Sequence, residues 1–156
     1  KKKSTLPDFN GNLGFGKNIS IDSQTLSILA SVSAGNGYQN MDNAFYKTLE
    51  ATGNVQDNFS YDSYAQELKL AALGYIGYTL RRHDRIGYTF FYTRNATDTY
   101  QRREGTDAEE HELTGSNNIT HIYTLQNHQL NGLHNLGEQD RWELTWGGSY
   151  SKTDAK

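Results

Sequence analysis

The sequence predicts an all-β chain, an antiparallel up-and-down meander of about six strands. Three observations carry this. Apolar and polar residues alternate with a period of two in one stretch after another, which is the strand signature. A single proline, Pro7, leaves extended pairing almost uninterrupted. The polar connections take turns in length, short and then long, as in a meander with its short turns at one end and its long ones at the other. Composition agrees. Of 156 residues, 35% are hydrophobic, too few for a large dry core. Yet 12% are aromatic, more than disordered chains usually carry.

The elements follow in order. Residues 8–17, DFNGNLGFGK, put Phe9, Gly11, Leu13 and Phe15 on one face and Asn10 and Asn12 on the other. Residues 24–35 put Leu26, Ile28, Ala30, Val32 and Ala34 opposite Ser27, Ser31 and Ser33, with Leu29 breaking the pattern. Residues 64–81 place Leu68, Leu70, Ala72, Ile76, Tyr78 and Leu80 on even positions, and Glu67, Lys69, Thr79 and Arg81 on odd ones. Tyr64, Leu68, Ala71, Ala72 and Tyr75 also fit helical spacing, and AQELKLAAL contains good helix formers. Gly74 and Gly77 weaken a helix by roughly 1 kcal/mol each, which favours the strand. Residues 85–97 carry Ile86, Tyr88, Phe90 and Tyr92 on one parity, with Gly87, Thr89 and Thr93 on the other beside Phe91. Residues 119–134 alternate less cleanly, and their faces stay open. Residues 141–151 put Trp142, Leu144, Trp146 and Tyr150 opposite Glu143, Thr145, Gly147, Ser149 and Ser151. Between these, 16–22, 81–84 and 135–140 read as short turns, and 36–63 and 98–118 as long loops.

Several classes drop out. No cysteine is present, so neither a disulfide framework nor a Cys-ligated metal site is possible. A net charge of −3 gives no reason to expect nucleic acid, and Lys1–Lys3 do not change that. No run approaches the ~18–20 apolar residues of a membrane-crossing helix. The start KKKSTLPDFN has no apolar signal-peptide core and no initiator Met, and the chain ends openly at SYSKTDAK. A piece of a longer chain is the expectation.

The faces themselves suggest a transmembrane β-barrel. Such barrels alternate lipid-facing with lumen-facing residues along ~10-residue strands. Aromatic girdles sit at both interfaces, with short turns at one rim and long loops at the other. Trp142 and Tyr150 stand eight residues apart, about 26 Å at ~3.3 Å per residue, close to the ~25 Å apolar band. Tyr and Trp suit those depths, with apolar rings and a polar tip. Ile86, Tyr88, Phe90, Tyr92, Trp142, Trp146 and Tyr150 are the expected lipid-facing residues, with Arg94 at the outer rim reaching for headgroups. Glu67, Lys69 and Glu143 are expected to line the lumen. A soluble sandwich with one solvated face explains the alternation equally well, but not the turn asymmetry or the Tyr/Trp bias.

The stretches LGYTLRRHDRIGYTFFYTRNATDTYQRREG (73–105) and NHQLNGLHNLGEQDRWELTWGGSYSKT (127–153), with LPDFNGNLGFGKNI at the start, resemble the barrel of bacterial TonB-dependent outer-membrane receptors. The resemblance covers most of the chain outside the two long loops. It rests on diffuse strand patterns, so it speaks to architecture more than to substrate. It implies a 22-stranded barrel plugged by an N-terminal domain, located in the bacterial outer membrane. Such a receptor imports a scarce nutrient, whether siderophore, haem, vitamin, glycan or peptide, with energy from the TonB complex. Residues 1–156 would then be one partial barrel domain, an interior segment without plug or TonB-contacting parts. The partners implied are outer-membrane lipid, the imported nutrient and, through other parts of the chain, TonB. No cofactor and no enzymatic activity are implied. A non-transporting surface barrel used for adhesion or binding is the alternative.

Candidate ligand contacts lie in the long loops. Tyr100, Arg102 and Arg103 could meet an anion, for which Arg is suited. Tyr38, Phe45, Tyr46, Phe59, Tyr61 and Tyr64 make the first loop aromatic, and Tyr46 and Tyr61 stand out within it. The run Glu109–Glu112 beside Asp107 reads as a solvated acidic loop rather than a cation site. His121, His128 and His134 have no metal-motif spacing and read as structural or lumen-lining. No catalytic constellation, phosphate loop or nucleophile elbow is present.

Overall fold

A computed structural model describes residues 7–80, 84–107, 109, 111–137 and 141–156. Six strands follow one another: β1 (Phe9–Ile21), β2 (Gln24–Leu49), β3 (Val55–Leu80), β4 (Asp84–Thr106), β5 (Glu112–Leu136) and β6 (Trp142–Ala155). They form one sheet in the order β1-β2-β3-β4-β5-β6. The all-β antiparallel meander is thus what the chain forms, and 64–80 is strand, not helix; Arg81 lies outside the described residues. As an interior strand β3 pairs along both sides, a stronger satisfaction of its backbone groups than helix propensity in AQELKLAAL could offset. The sheet is open, with β1 and β6 as its edges.

The predicted long loops are a correction. Most of 36–63 and 98–118 continues the strands, so β2 to β5 reach 23 to 26 residues. The reversals are tight. Two residues, Asp22 and Ser23, join β1 to β2, with Asp22 at φ 53°. Residues 50–54 join β2 to β3, where Gly53 (φ 88°) donates its N–H to the Glu50 carbonyl at 2.9 Å. Residues 107–111 join β4 to β5. Local alternation is blurred there because aromatic and polar residues fall on both parities, Phe45 beside Tyr46 among them, which hides the period-2 signal while leaving backbone pairing intact.

Asn43 adds a further reason. It sits within β2 at φ 56°. Before it, Asn36 meets Gln66 of β3; beyond it, Thr48 meets Asp57. The facing positions have slipped by an odd number, the effect of a bulge, and every later side chain of β2 changes face.

Contacts divide the chain into two units. One is built chiefly from Asn36–Leu68 and Ala96–His121, the other from Asn10–Gly35, Lys69–Asn95 and Ile122–Lys156. Among the described residues no hydrophobic side chain is buried, and Asn36, at 7% exposure, is the buried polar one. The sheet is a single layer, and its apolar residues are offered outward rather than packed against a second layer.

Candidate functional site

In the second unit one face gathers the aromatic and aliphatic residues. The β5–β6 register sets Gly132 opposite Trp146, His128 opposite Tyr150 and Leu136 opposite Trp142, and directly paired residues share a face. Trp146 lies against Gly132 so closely that a Cβ there would fall on the indole, and its ring stacks on His134 at 6.2 Å. Tyr88 and Phe90 of β4 reach across to His128, with ring centroids 6.2 and 5.1 Å away, and Tyr150 reaches it from β6 at 6.2 Å. Tyr88 Oη and His128 Nδ1 are hydrogen-bonded at 2.7 Å. Further along, Leu13, Val32, Ala34, Leu70, Ala72 and Tyr92 line one shallow apolar depression. Ile86, Tyr88, Phe90, Tyr92, Trp142, Trp146 and Tyr150 therefore belong to one face, as their parity predicted. The face is open: Leu13 is 74% exposed, Trp142 70% and Tyr150 63%.

The structure gives two histidines the face that the sequence left open. His128 and His134 lie on this aromatic face, not on the polar one. His134 Nδ1 meets Asp84 Oδ1 at 3.0 Å near the short-turn end of the unit. The even register of β5, unreadable in its blurred alternation, is fixed by pairing with Trp146 and Tyr150.

The opposite face carries smaller and more polar groups. Lys69 and Glu143 take this parity in the second unit, and Glu67 takes it in β3 within the first. Here Tyr75 folds its ring over Gly77 of its own strand and Gly87 of β4. Both glycines are buried. Nothing in the spacing of YIGY announced this aromatic cover, because it depends on which glycine of the neighbouring strand stands alongside.

In the first unit the five candidate ligand contacts separate. Ser60 Oγ donates to the Glu104 carbonyl at 3.3 Å, and a Cβ on Gly105 would meet Phe59. That alignment puts Tyr61 across from Arg103, and the bulge at Asn43 brings Tyr46 to the same face, alongside Phe59. Arg103 extends over Gly115, whose Cβ would stand 3.8 Å from Arg103 Cγ. Tyr100 and Arg102 have the other parity, and Arg102 is paired with Glu104. Tyr46, Tyr61 and Arg103 thus share a face, while Tyr100 and Arg102 do not join them.

The other face of this unit holds a polar network that spacing did not reveal. Gln66 Nε2 donates to Asn36 Oδ1 at 2.9 Å and to Tyr38 Oη at 3.2 Å, and the Tyr38 N–H donates to Asp8 Oδ1 at 2.9 Å. The hydrogen-bonded carboxylate of Asp42 raises the Tyr64 hydroxyl above its ordinary pKa, and its charge acts in the same direction. At the β4–β5 reversal, Asp107 accepts the backbone N–H of His111 (2.9 Å) and of Glu109 (3.0 Å). The His111 N–H is the main reason its carboxyl lies below the usual range. His111 Nδ1 stands 3.4 Å from Asp107 and 3.6 Å from Glu109; Glu110 lies outside the described residues. No group of three His, Cys, Asp or Glu among the described residues could hold a metal ion.

Chemically, the described residues offer an extended apolar face in the second unit and an aromatic patch with one guanidinium in the first. No known protein family, no curated protein and no solved structure matches the chain.

Proposed function

We propose that this chain forms part of the wall of a bacterial outer-membrane barrel, of the kind that TonB-dependent receptors use to import a scarce nutrient. The observation that carries the reading is the aromatic face of the second unit, exposed across strand after strand, with no buried hydrophobic side chain among the described residues. Exposed apolar area of this extent is costly in water at about 25 cal/mol per Å². Against acyl chains that cost disappears. The polar groups on the face are suited to that setting. Tyr88 Oη and His128 Nδ1 satisfy each other at 2.7 Å, which lowers the cost of bringing these two atoms into hydrocarbon. His134 and Asp84 do the same near one end of the band. β3 and β4 each lie between two neighbours of comparable length, which gives their backbone groups the pairing that lipid demands. Tyr46, Phe59, Tyr61 and Arg103, which share a face of the first unit, would then serve nutrient capture.

Trp142 and Trp146 supply the test. The chain is reconstituted into phosphatidylcholine vesicles carrying bromine at defined acyl positions, with each Trp replaced in turn by Phe. Both indoles are expected to be quenched, Trp146 by deeper bromines than Trp142. Emission unaffected by bromine at any depth would sink the membrane reading. Loss of nutrient uptake in cells on Arg103→Gln, with surface abundance retained, separates transport from mere surface binding.

A further inference from the structure

In the second unit, at the end of the aromatic face away from its short turns, the side chains change character abruptly. Arg94, Ile122, Thr124, Lys152, Asp154 and Lys156 line one depression there. The β5–β6 register sets Thr124 opposite Asp154, and the Lys156 N–H and carbonyl both bond Ile122 at 2.9 and 2.8 Å. On β4, the Asp84–His134 contact and the approach of Asn131 to Gly87 fix an alignment that puts Arg94 across from Thr124. The row is therefore Arg94, Thr124, Asp154, with Lys152 and Lys156 flanking Asp154 along β6. Arg94 stands two strand spacings from β6, about 10 Å at the backbone, a gap that one Arg and one Lys side chain can close from either side. Lys152 Nζ lies 3.3 Å from Asp154 Oδ2, so the depression holds three cations against one carboxylate, with the Thr124 hydroxyl between them. Along the same face stand Tyr92, two positions back from Arg94, and Tyr150, two back from Lys152 and four back from Asp154, both members of the apolar band.

We infer that this depression binds the phosphate of an anionic lipid headgroup. The inference rests on the membrane reading above. The donor set is the one a phosphate calls for: a guanidinium capable of two parallel N–H···O bonds, two ammonium groups and a hydroxyl. Its place explains why a lipid is the source. The cations close off an apolar band, so a phosphate held there leaves acyl chains lying along Tyr92 and Tyr150, as a free phosphate cannot.

The full chain, folded in non-ionic detergent micelles, is titrated calorimetrically with dihexanoyl phosphatidic acid, with dihexanoyl phosphatidylcholine and with inorganic phosphate. The phosphatidic acid is expected to bind tightest. Arg94→Gln and Lys152→Gln should each weaken it roughly fivefold, the worth of one cation near an anionic headgroup. Lys17→Gln, in β1 close to the Asp22–Ser23 turn, should leave it unchanged. Equal phosphatidic acid affinity in the parent chain and in the Arg94→Gln/Lys152→Gln double variant overturns the inference, as does inorganic phosphate binding as tightly as the lipid. Bromolipid quenching of Trp146 in the double variant reports the membrane reading separately. Quenching retained with phosphatidic acid selectivity lost supports the site, and quenching absent in the parent chain overturns both.

Discussion

Tyr75 and the two glycines beneath it give the sharpest test of the packing described above. A Cβ built on Gly77 would fall on the Tyr75 hydroxyl, with ring carbons Cζ and Cε1 only 2.7 and 2.9 Å away. On Gly87 it would meet Asn131 Oδ1 at 2.8 Å and Tyr75 Cε2 at 3.2 Å. On Gly74, in the same strand, it would meet nothing within 4 Å. Alanine in place of an unhindered strand glycine stabilises by roughly 0.5–1 kcal/mol, because the unfolded chain loses freedom. Gly74→Ala should show that gain. Gly77→Ala carries the same gain but must displace an aromatic ring, an overpacking cost of about 1–3 kcal/mol. The net expectation is a loss of about 1–2 kcal/mol, opposite in sign to Gly74→Ala. Removing the obstacle should restore the gain, so Gly77→Ala in a Tyr75→Ala background should stabilise. The cycle then gives a coupling of about 1–3 kcal/mol between positions 75 and 77. Urea unfolding of the micelle-folded chain, followed by the fluorescence of Trp142 and Trp146, measures the four forms of the cycle and Gly74→Ala. Equal shifts for Gly74→Ala and Gly77→Ala, or a Gly77→Ala effect indifferent to Tyr75, would refute the reasoning.

Other expectations follow from single contacts. Gly53 at φ 88° closes the β2–β3 reversal, so Gly53→Ala should cost about 1 kcal/mol in the same unfolding assay; no loss would mean the turn relaxes freely. The Thr48 hydroxyl donates to Asp57 Oδ2 at 2.7 Å in a half-buried setting, and Asp57→Ala should cost about 1 kcal/mol, with Thr48→Val in the Asp57→Ala background adding little. Asp107 is held below its ordinary 3.8 chiefly by the His111 N–H. Its contribution to the β4–β5 reversal is present above that value and is lost as pH falls through the lowered one. Amide exchange at Glu109 and His111 should quicken, relative to intrinsic rates, only in that acidic window, and a parallel change in Asp107→Asn would count against it. Tyr64 is raised above 10.0 through Asp42, so its share of stability is present below pH 10.0 and is lost as pH rises through the folded value. Absorbance titration in the phenolate band should place the Tyr64 midpoint above 10.0, and Asp42→Asn should bring it down.

What the sequence determined by itself was the alternation, and through it the class of fold, the number and order of strands and the membership of the apolar face. Ile86, Tyr88, Phe90 and Tyr92 could be placed together because the side-chain period of a strand is two and nothing interrupts it. The same rule failed wherever a face was not marked by polarity. Residues 36–63 and 98–118 read as loops because aromatic and polar residues mix on both parities, although backbone pairing does not need a clean alternation. Tyr46 joined Tyr61 only through the slip at Asn43, and no local signal shows that a bulge will seat there. His128 and His134 were assigned to the aromatic face by their partners across the strand gap, Tyr88 and Trp146, and cross-strand register is a property of two segments at once. The cover of Tyr75 over Gly77 and Gly87, and the cation row of Arg94 with Lys152 and Lys156, have the same origin. Each joins residues from separate strands, so only the paired sheet could bring them together.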